Sequence, residues 1–431
     1  MIEFITLFLG GLITGHQTVE LMVDDAVAIV EVRFDGELEG RLSSPPWRLK
    51  IDFGVELAPH VLEATALDAQ EQELARTRQW INMAPQTAQS ALLVEGVEDG
   101  QAAIARVSWE SLAESEEPES VQVYFDGEEL PAQDPRAIRL PPFDPQQTHH
   151  LRVKLQLTEV LSSEAEAVFG GVYGNEVSTE ISAVPIRFEK GMKPKSVEVM
   201  QDWFSVGAVP QTIHALEKGD ADIIVVRDVA THDRLRELAS QAGRLETDLK
   251  TDRHLKAHHK ISFISPCPEI QHKDGLRRAV YPHTQRYAAM DGTLLRLMTR
   301  VLPNNCAEDK QLLADAVAVA GLAASGSGLR RAVILLIDGK SRDRSDFTPD
   351  QVIDYLATMR VPLFVWNLDS TKLLETDWGQ ATHVRKLNRF YRAYSQVEKN
   401  LDHQLIVWLQ GLHLPQSVKL RPSIEGISLV E

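Results

Sequence analysis

The hydrophobic rhythm of the chain changes near its middle. Through about residue 187, apolar and polar positions alternate over short runs, the period-two signature of strands with one buried face. Val19 to Val23 and Val27 to Phe34 are such runs, and Asp35-Gly36 closes the second as a turn. Pro45-Pro46-Trp47 follows, then strand signals at Leu49 to Phe53, His60 to Leu67 and Glu73 to Met83. The opening apolar run, Phe4 to Thr14, is broken by Gly10 and Gly11 and falls short of the ~20 residues a membrane span needs, so it reads as a further strand. Glu3 stands where a secretory signal carries Lys or Arg, and no small-residue cleavage site follows. The expectation is a chain without its own anchor, cytoplasmic unless a misassigned start hides an export signal.

The same order of signals recurs further on. Val32-Arg33-Phe34-Asp35-Gly36-Glu37 matches Val123-Tyr124-Phe125-Asp126-Gly127-Glu128, Pro45-Pro46-Trp47 matches Pro141-Pro142-Phe143, and His60 to Ala64 is aligned with His150 to Lys154. A repeated unit of short strands with turn punctuation predicts two β-sandwiches, over residues 1–86 and 87–188. Trp47, Trp80 and Phe143 are expected in their cores. Glu110 to Glu119, between strand signals, reads as an exposed acidic loop without the ligand spacing or turn glycine of a calcium site.

Beyond residue 188 the apolar runs become solid. Ala221 to Asp228, Ile261 to Ser265, Ala332 to Asp338 and Val361 to Leu368 have the composition of strands buried on both faces. Helical spacing separates them: from Thr231 or His232 through Ala239, Leu294 to Leu302, Lys310 to Leu322, Pro349 to Met359 behind an N-capping Thr348, and Val384 to Asn400. Gln404 to Leu409 reads as a last strand. This alternation predicts a doubly wound, Rossmann-like α/β unit over residues 195–415, a mostly parallel sheet covered on both faces. Such sheets bind ligands at the carboxyl ends of their strands, where Asp228 and Asp338 both stand.

Charge follows the same division. Residues 1–187 carry 32 acidic and 12 basic side chains, net −20, while residues 188–431 carry 30 and 33, net +3. The overall charge of −17 argues against nucleic acid as a partner. An acidic surface serves solubility first; its sharper use is to dock a basic protein. Cys267 and Cys306 are the two cysteines, which excludes a disulfide-rich scaffold or a cysteine-rich zinc module and favours two reduced thiols.

The α/β half resembles a von Willebrand factor A domain. The likeness rests on the order of elements, the apolar strand ending in Asp228, the later strand Ile334-Leu335-Leu336-Ile337-Asp338-Gly339, and Arg360 to Trp366 as the strand after it. The β-repeats are similar to the immunoglobulin-like sandwiches found beside such domains in bacterial chains, without an intersheet cysteine pair. The resemblance implies a metal-ion-dependent adhesion site, with a first loop Asp-x-Ser-x-Ser completed by a Thr and an Asp from later loops. Here that loop is Asp228-Val229-Ala230-Thr231-His232, so Ala230 brings no donor atom and His232 brings nitrogen. Thr293 would match the family Thr and Asp338 the family Asp. The expected reading is a degenerate metal site of Asp228, Thr293 and Asp338, no cofactor, and a non-enzymatic interaction module. Its protein partner would meet Asp228, Thr231, His232, Thr293 and Asp338. The alternatives are magnesium-dependent adhesion through the same residues, zinc held by His232 with Asp228, and a hydrolase of unknown class using the strand-end cleft.

Other constellations count for less. His254 and His258 would share a helix face in an i,i+4 pair, beside His259, but lysines at 256 and 260 oppose a cation, and a solvated basic face is expected. Gly170 to Gly174 lacks the Lys-Ser/Thr of a phosphate loop, and Gly326-Ser327-Gly328 is too short for a nucleophile elbow. Arg330-Arg331 and Arg342 with Arg344 are expected to be ordinary surface charge.

Overall fold

The computed structural model describes the chain outside residues 1, 5, 7–11, 25, 84–87, 96–102, 112–117, 119, 132–133, 157–161, 171–180, 190–195, 246–254, 274–275, 289–292, 301–306, 340–341, 370–374, 412, 422–423, 425 and 431. The acidic loop at 110–119, most of the glycine-rich 170–174 segment, His254, Asp291, Gly292 and Cys306 therefore lie wholly or largely outside the described residues. Among the described residues, the chain is rich in antiparallel sheets and has one parallel five-stranded sheet with helices. No helix there is long and apolar enough to cross a membrane.

The first unit faces a three-stranded sheet (Ile2–Phe4, His16–Val23, Arg48–Asp52) with a four-stranded one ordered Glu37–Leu42, Ile29–Phe34, His60–Leu67, Glu73–Ile81. Alternation works as read: Val19, Leu21, Val30, Val32, Ile51 and Leu62 turn inward to one core. The second unit repeats the plan, with Glu128–Leu130, Ser120–Phe125, Thr148–Gln156 and Ser162–Gly170 as its four-stranded sheet. Phe143 packs against its core, as Trp47 does in the first.

The repeat extends to a side-chain lock that corrects the alignment by one residue. In the first copy His60 Nδ1 lies 2.7 Å from Asp35 Oδ2, and Val61 N donates to Asp35 Oδ1 at 2.8 Å. In the second copy His149 Nδ1 lies 2.7 Å from Asp126 Oδ2, and His150 N donates to Asp126 Oδ1 at 2.8 Å. His60 is therefore equivalent to His149, not His150. The turn aspartates sit at φ +50° and +51°, and each uses its side chain to fasten the next strand. His150, one place along and on the opposite face, is buried beside Trp408 with ring centroids 5.4 Å apart.

A third antiparallel assembly was not expected. Its four-stranded sheet is ordered Ile213–Glu217, Gln404–Gln410, Ile181–Phe188, Ile427–Leu429, and a three-stranded sheet of Val209–Pro210, Phe204–Val206 and Val418–Leu420 shares its core. The strand at 404–410, read from sequence as the last of the α/β unit, instead pairs along its whole length with Ile181–Phe188, assigned to the second sandwich. The expected boundaries at 188, 195 and 415 thus cut through one sheet. Solid apolar strands look alike whichever sheet they enter, and the partners here are more than two hundred residues apart in the chain.

The α/β unit runs between Glu217 and Gln404. The five strands of its main sheet, all parallel, are ordered His259–Ile264, Ala221–Arg227, Arg330–Ile337, Leu363–Asn367, Thr382–His383. Alternate residues of each central strand feed opposite layers. Ile223, Val225, Ile334 and Leu336 meet the helices His232–Leu245, Leu294–Arg300 and Leu387–Asp402, while Ile224, Val226, Val333 and Leu335 meet Leu313–Ser325 and Pro349–Thr358. The first β-unit also docks here: Tyr355 Oη donates to Asn82 O at 2.8 Å, and Leu57 joins the second of these cores.

The second unit meets the third assembly through a buried ion pair. Arg152 Nη2 is 3.1 Å from Glu217 Oε2, with both side chains under 5% exposed (3% and 4%), and Trp408 Nε1 donates to the same carboxylate at 3.2 Å. The Arg152 guanidinium lies over the rings of Tyr124 and Trp408, 4.7 and 5.5 Å from their centroids.

Candidate functional site

The carboxyl edge of the parallel sheet brings together two of the sequence-derived candidates. Asp228 follows the Ala221–Arg227 strand, and its backbone N donates to Leu336 O at 2.9 Å, which holds it beside the strand that ends at Asp338. Its wholly buried side chain caps a short 3-10 turn, Val229–Thr231, accepting Ala230 N at 2.9 Å on Oδ1. Thr231, equally buried, turns its hydroxyl back onto Asp228 O at 2.6 Å.

Gln311, which sequence reasoning missed, is the hub of this edge. Its Nε2 donates to Asp228 Oδ1 at 3.0 Å and to Arg342 O at 2.9 Å, while its Oε1 accepts Val229 N at 3.1 Å. Its own carbonyl accepts Arg344 N at 3.1 Å. One buried amide thus ties the loop after Asp228 to the loop after Asp338. Asp343 then caps the Leu313–Ser325 helix, accepting Leu313 N at 2.8 Å and Ala314 N at 3.0 Å, where a carboxylate suits the helix N-terminus.

Asp338 faces a mixed field. Arg234, one turn into the helix after Asp228, places Nε 3.8 Å from Asp338 Oδ2. Burial pushes the Asp338 carboxyl above its ordinary range; Arg234 and Arg385 pull it down, while Asp369 and Asp228 push it further up. Asp369 is a second missed residue, one place beyond the apolar run that closes at Leu368, so the rule that singled out Asp228 and Asp338 selects it too. Asn367 Oδ1 accepts the backbone N of both Gly339 (3.2 Å) and Asp369 (2.8 Å). Gly339 sits at φ +78°, which strains any other residue, and a Cβ there would come 3.2 Å from Asp369 Oδ2, close enough to make that carboxylate shift.

Thr293 is buried and caps its own helix, its Oγ1 accepting Arg296 N at 3.4 Å. His232 begins the helix His232–Leu245, and its buried Nδ1 has no hydrogen-bond partner among the described residues. The residues gathered at the edge are therefore two of the expected carboxylates, a third carboxylate, an amide and an arginine.

Three expectations away from this edge are corrected. His258 lies in a turn and His259 opens a strand, wholly buried, where a solvated helix face was expected. Arg330 and Arg331 are buried rather than surface charge: they begin the central strand and donate to carbonyls, Arg330 Nη1 to Leu401 O at 2.8 Å and Arg331 Nη1 to Ser325 O at 2.6 Å. Cys267 is disulfide-bonded, not a reduced thiol; the chain's other cysteine is Cys306.

No known sequence family matches the chain, and no curated protein matches it. Among solved structures it is similar to the fibronectin(III)-like modules of Clostridium thermocellum CbhA, at 17% identity over 19% of this chain and 93% of that one, with a TM-score of 0.17. It is also similar to proximal thread matrix protein 1 from the mussel byssus, at 13% identity over 49% of each chain and a TM-score of 0.28. A form of that protein with a zinc-occupied MIDAS motif aligns at 15% identity, over 44% of this chain and 47% of that one, with a TM-score of 0.27. The chain thus spans about half the length of the byssus protein it matches. These likenesses are remote.

Proposed function

We propose that the chain recognises a protein partner through the carboxyl edge of its parallel sheet, around Asp228, Thr231, His232, Thr293 and Asp338, without a bound cation and without chemistry of its own. The β-units serve as spacer and as a second, acidic docking surface. The observation that carries this reading is the pairing of Asp228, whose Oδ1 already accepts both Ala230 N and Gln311 Nε2. A buried carboxylate satisfied by neutral donors has less need of an ion. Ala230 and His232 also stand where the resembled adhesion site carries serine hydroxyls, the oxygen ligands that magnesium requires.

The test is cation dependence. The full chain, immobilised and exposed to extract from its source cells, should capture its partner equally with EDTA and with magnesium, and Arg234→Ala with Asp338→Ala should weaken capture. Capture abolished by EDTA, restored by magnesium and lost in Asp228→Ala would establish the second reading, metal-dependent adhesion. One feature favours that reading: the carboxylates of Asp369 and Asp228 both push the Asp338 carboxyl up, a repulsion a cation would relieve. A hydrolase needs a base positioned on a nucleophile or water. Of the histidines at this edge, His383 directs Nε2 to the backbone oxygen of Asp369 at 2.7 Å and Nδ1 towards Arg389 at 3.1 Å, while His232 Nδ1 is buried without a hydrogen-bond partner among the described residues.

A further inference from the structure

At the opposite, amino end of the sheet, the strand His259–Ile264 opens on a buried pair of imidazoles. His259 has no exposed surface, and neither of its ring nitrogens has a hydrogen-bond partner among the described residues. His258 Nε2 is likewise buried and unpaired, and the two rings stand edge to face with centroids 4.7 Å apart. Asp402, the last residue of the helix Leu387–Asp402, arrives at the same point, so that one donor atom from each of the three residues lies within 4.8 Å of the others. Buried polar nitrogens are paired in the great majority of proteins, and leaving one unpaired is destabilising. Three unpaired ring nitrogens beside one carboxylate need a reason.

We propose that His258, His259 and Asp402 form a transition-metal site of the zinc class, with a fourth position left to water. Two imidazoles and a carboxylate are a donor set that zinc accepts, whereas magnesium and calcium select oxygen. The opposing groups are Lys256, whose Nζ is 2.6 Å from Asp402 Oδ2, and Arg330. A cation therefore competes with the Lys256 ammonium for that carboxylate, which sets the affinity lower than three ligands alone would give. The site is remote from the Asp228 edge and does not depend on what that edge binds.

The test is zinc titration of the full chain, stripped with chelator, against a colorimetric zinc indicator. One zinc per chain is expected, together with a rise in the thermal unfolding midpoint, because an ion bound only by the native state stabilises it. Loss of an outer-shell partner alone weakens a metal site about 10-fold or more, so His258→Ala and Asp402→Asn should each weaken binding at least that much. Asp402→Asn leaves both imidazoles in place, so it reads the loss of a ligand apart from the ring packing that His258→Ala removes. Lys256→Ala should tighten binding by removing the competing ammonium, which a surface histidine elsewhere would not register. Absence of stoichiometric zinc, or zinc bound equally by the wild type, His258→Ala and Asp402→Asn, overturns the proposal.

Discussion

Gln311 Nε2 stands 3.0 Å from Asp228 Oδ1, across 83 residues of sequence, and donates from the same nitrogen to Arg342 O. Removing that side chain strands a buried carboxylate oxygen with one fewer donor and frees two loops from each other. Gln311→Ala is expected to lower stability by about 1–3 kcal/mol, the range for an unsatisfied buried partner, measured by urea unfolding at pH 7. A loss below a few tenths would show that the amide does not hold the edge together.

Asp338 supplies a pH signature. Its folded-state carboxyl lies above the ordinary 3.8, burial being the largest cause. Just above that value the native state keeps a proton that the unfolded chain has released. The stabilisation is therefore present below pH 3.8 and lost as pH rises through the folded-state value. Asp338→Asn is expected to raise stability at pH 7 and to flatten the decline between the two values, as read from urea midpoints across the acid range. An unchanged pH profile would argue that Arg234 fully compensates the carboxylate.

Arg152 and Glu217 test the contact between the second unit and the third assembly. Breaking a buried pair on one side leaves an uncompensated charge, so Glu217→Leu is expected to cost about 3–5 kcal/mol. Adding Arg152→Met should recover most of it, because an apolar pair replaces two desolvated charges. Chemical denaturation of the single and double variants closes the cycle. Additive losses would mean that the two side chains do not communicate.

Cys267 offers a chemical check. The untreated chain should show no reactive thiol until reductant is added, counted by alkylation and mass. Cys267→Ser should lower stability by about 2–4 kcal/mol if the bond constrains the unfolded chain in the usual way. Two free thiols without reductant would remove the disulfide.

The third assembly predicts which fragments hold together. A piece spanning 190–431 lacks Ile181–Phe188, which lies between Gln404–Gln410 and Ile427–Leu429. It leaves a buried apolar strand, Gln404–Gln410, with an open edge, an invitation to aggregate. A piece beginning ahead of Ile181 keeps the ladder. Size-exclusion chromatography should find the first associated and the second monomeric; equal behaviour would contradict the pairing.

Local signals were legible wherever the partner was close or the pattern strong. Alternation located most strands of the first β-unit, the repeat pointed to Ser120–Phe125 and Thr148–Gln156 in the second, and the solid runs at 221–227 and 330–337 located the centre of the parallel sheet. Thr348-Pro349 capped its helix as read, with Gln351 completing a capping box. What failed was pairing over distance. Nothing in Gln404 to Leu409 says that its neighbour is Ile181–Phe188, and nothing in Gln311 says that it meets Asp228. The His60 alignment slipped by one because His149 and His150 are adjacent, and only the bond to Asp126 separates them. Asp369 was within reach, since it ends its strand as Asp338 does.

The α/β unit leaves the third sheet after Glu217 and returns at Gln404, and these flanking strands are ladder partners, with Glu217 opposite Ile406. Force entering at Ile213 and leaving past Leu409 loads that antiparallel ladder from its open end, and reaches the inserted unit only after those pairs have unzipped. The face bearing Asp228 and Asp338 stays mechanically shielded until the ladder yields, as a pendant hung from a closed clasp rather than a link in the chain.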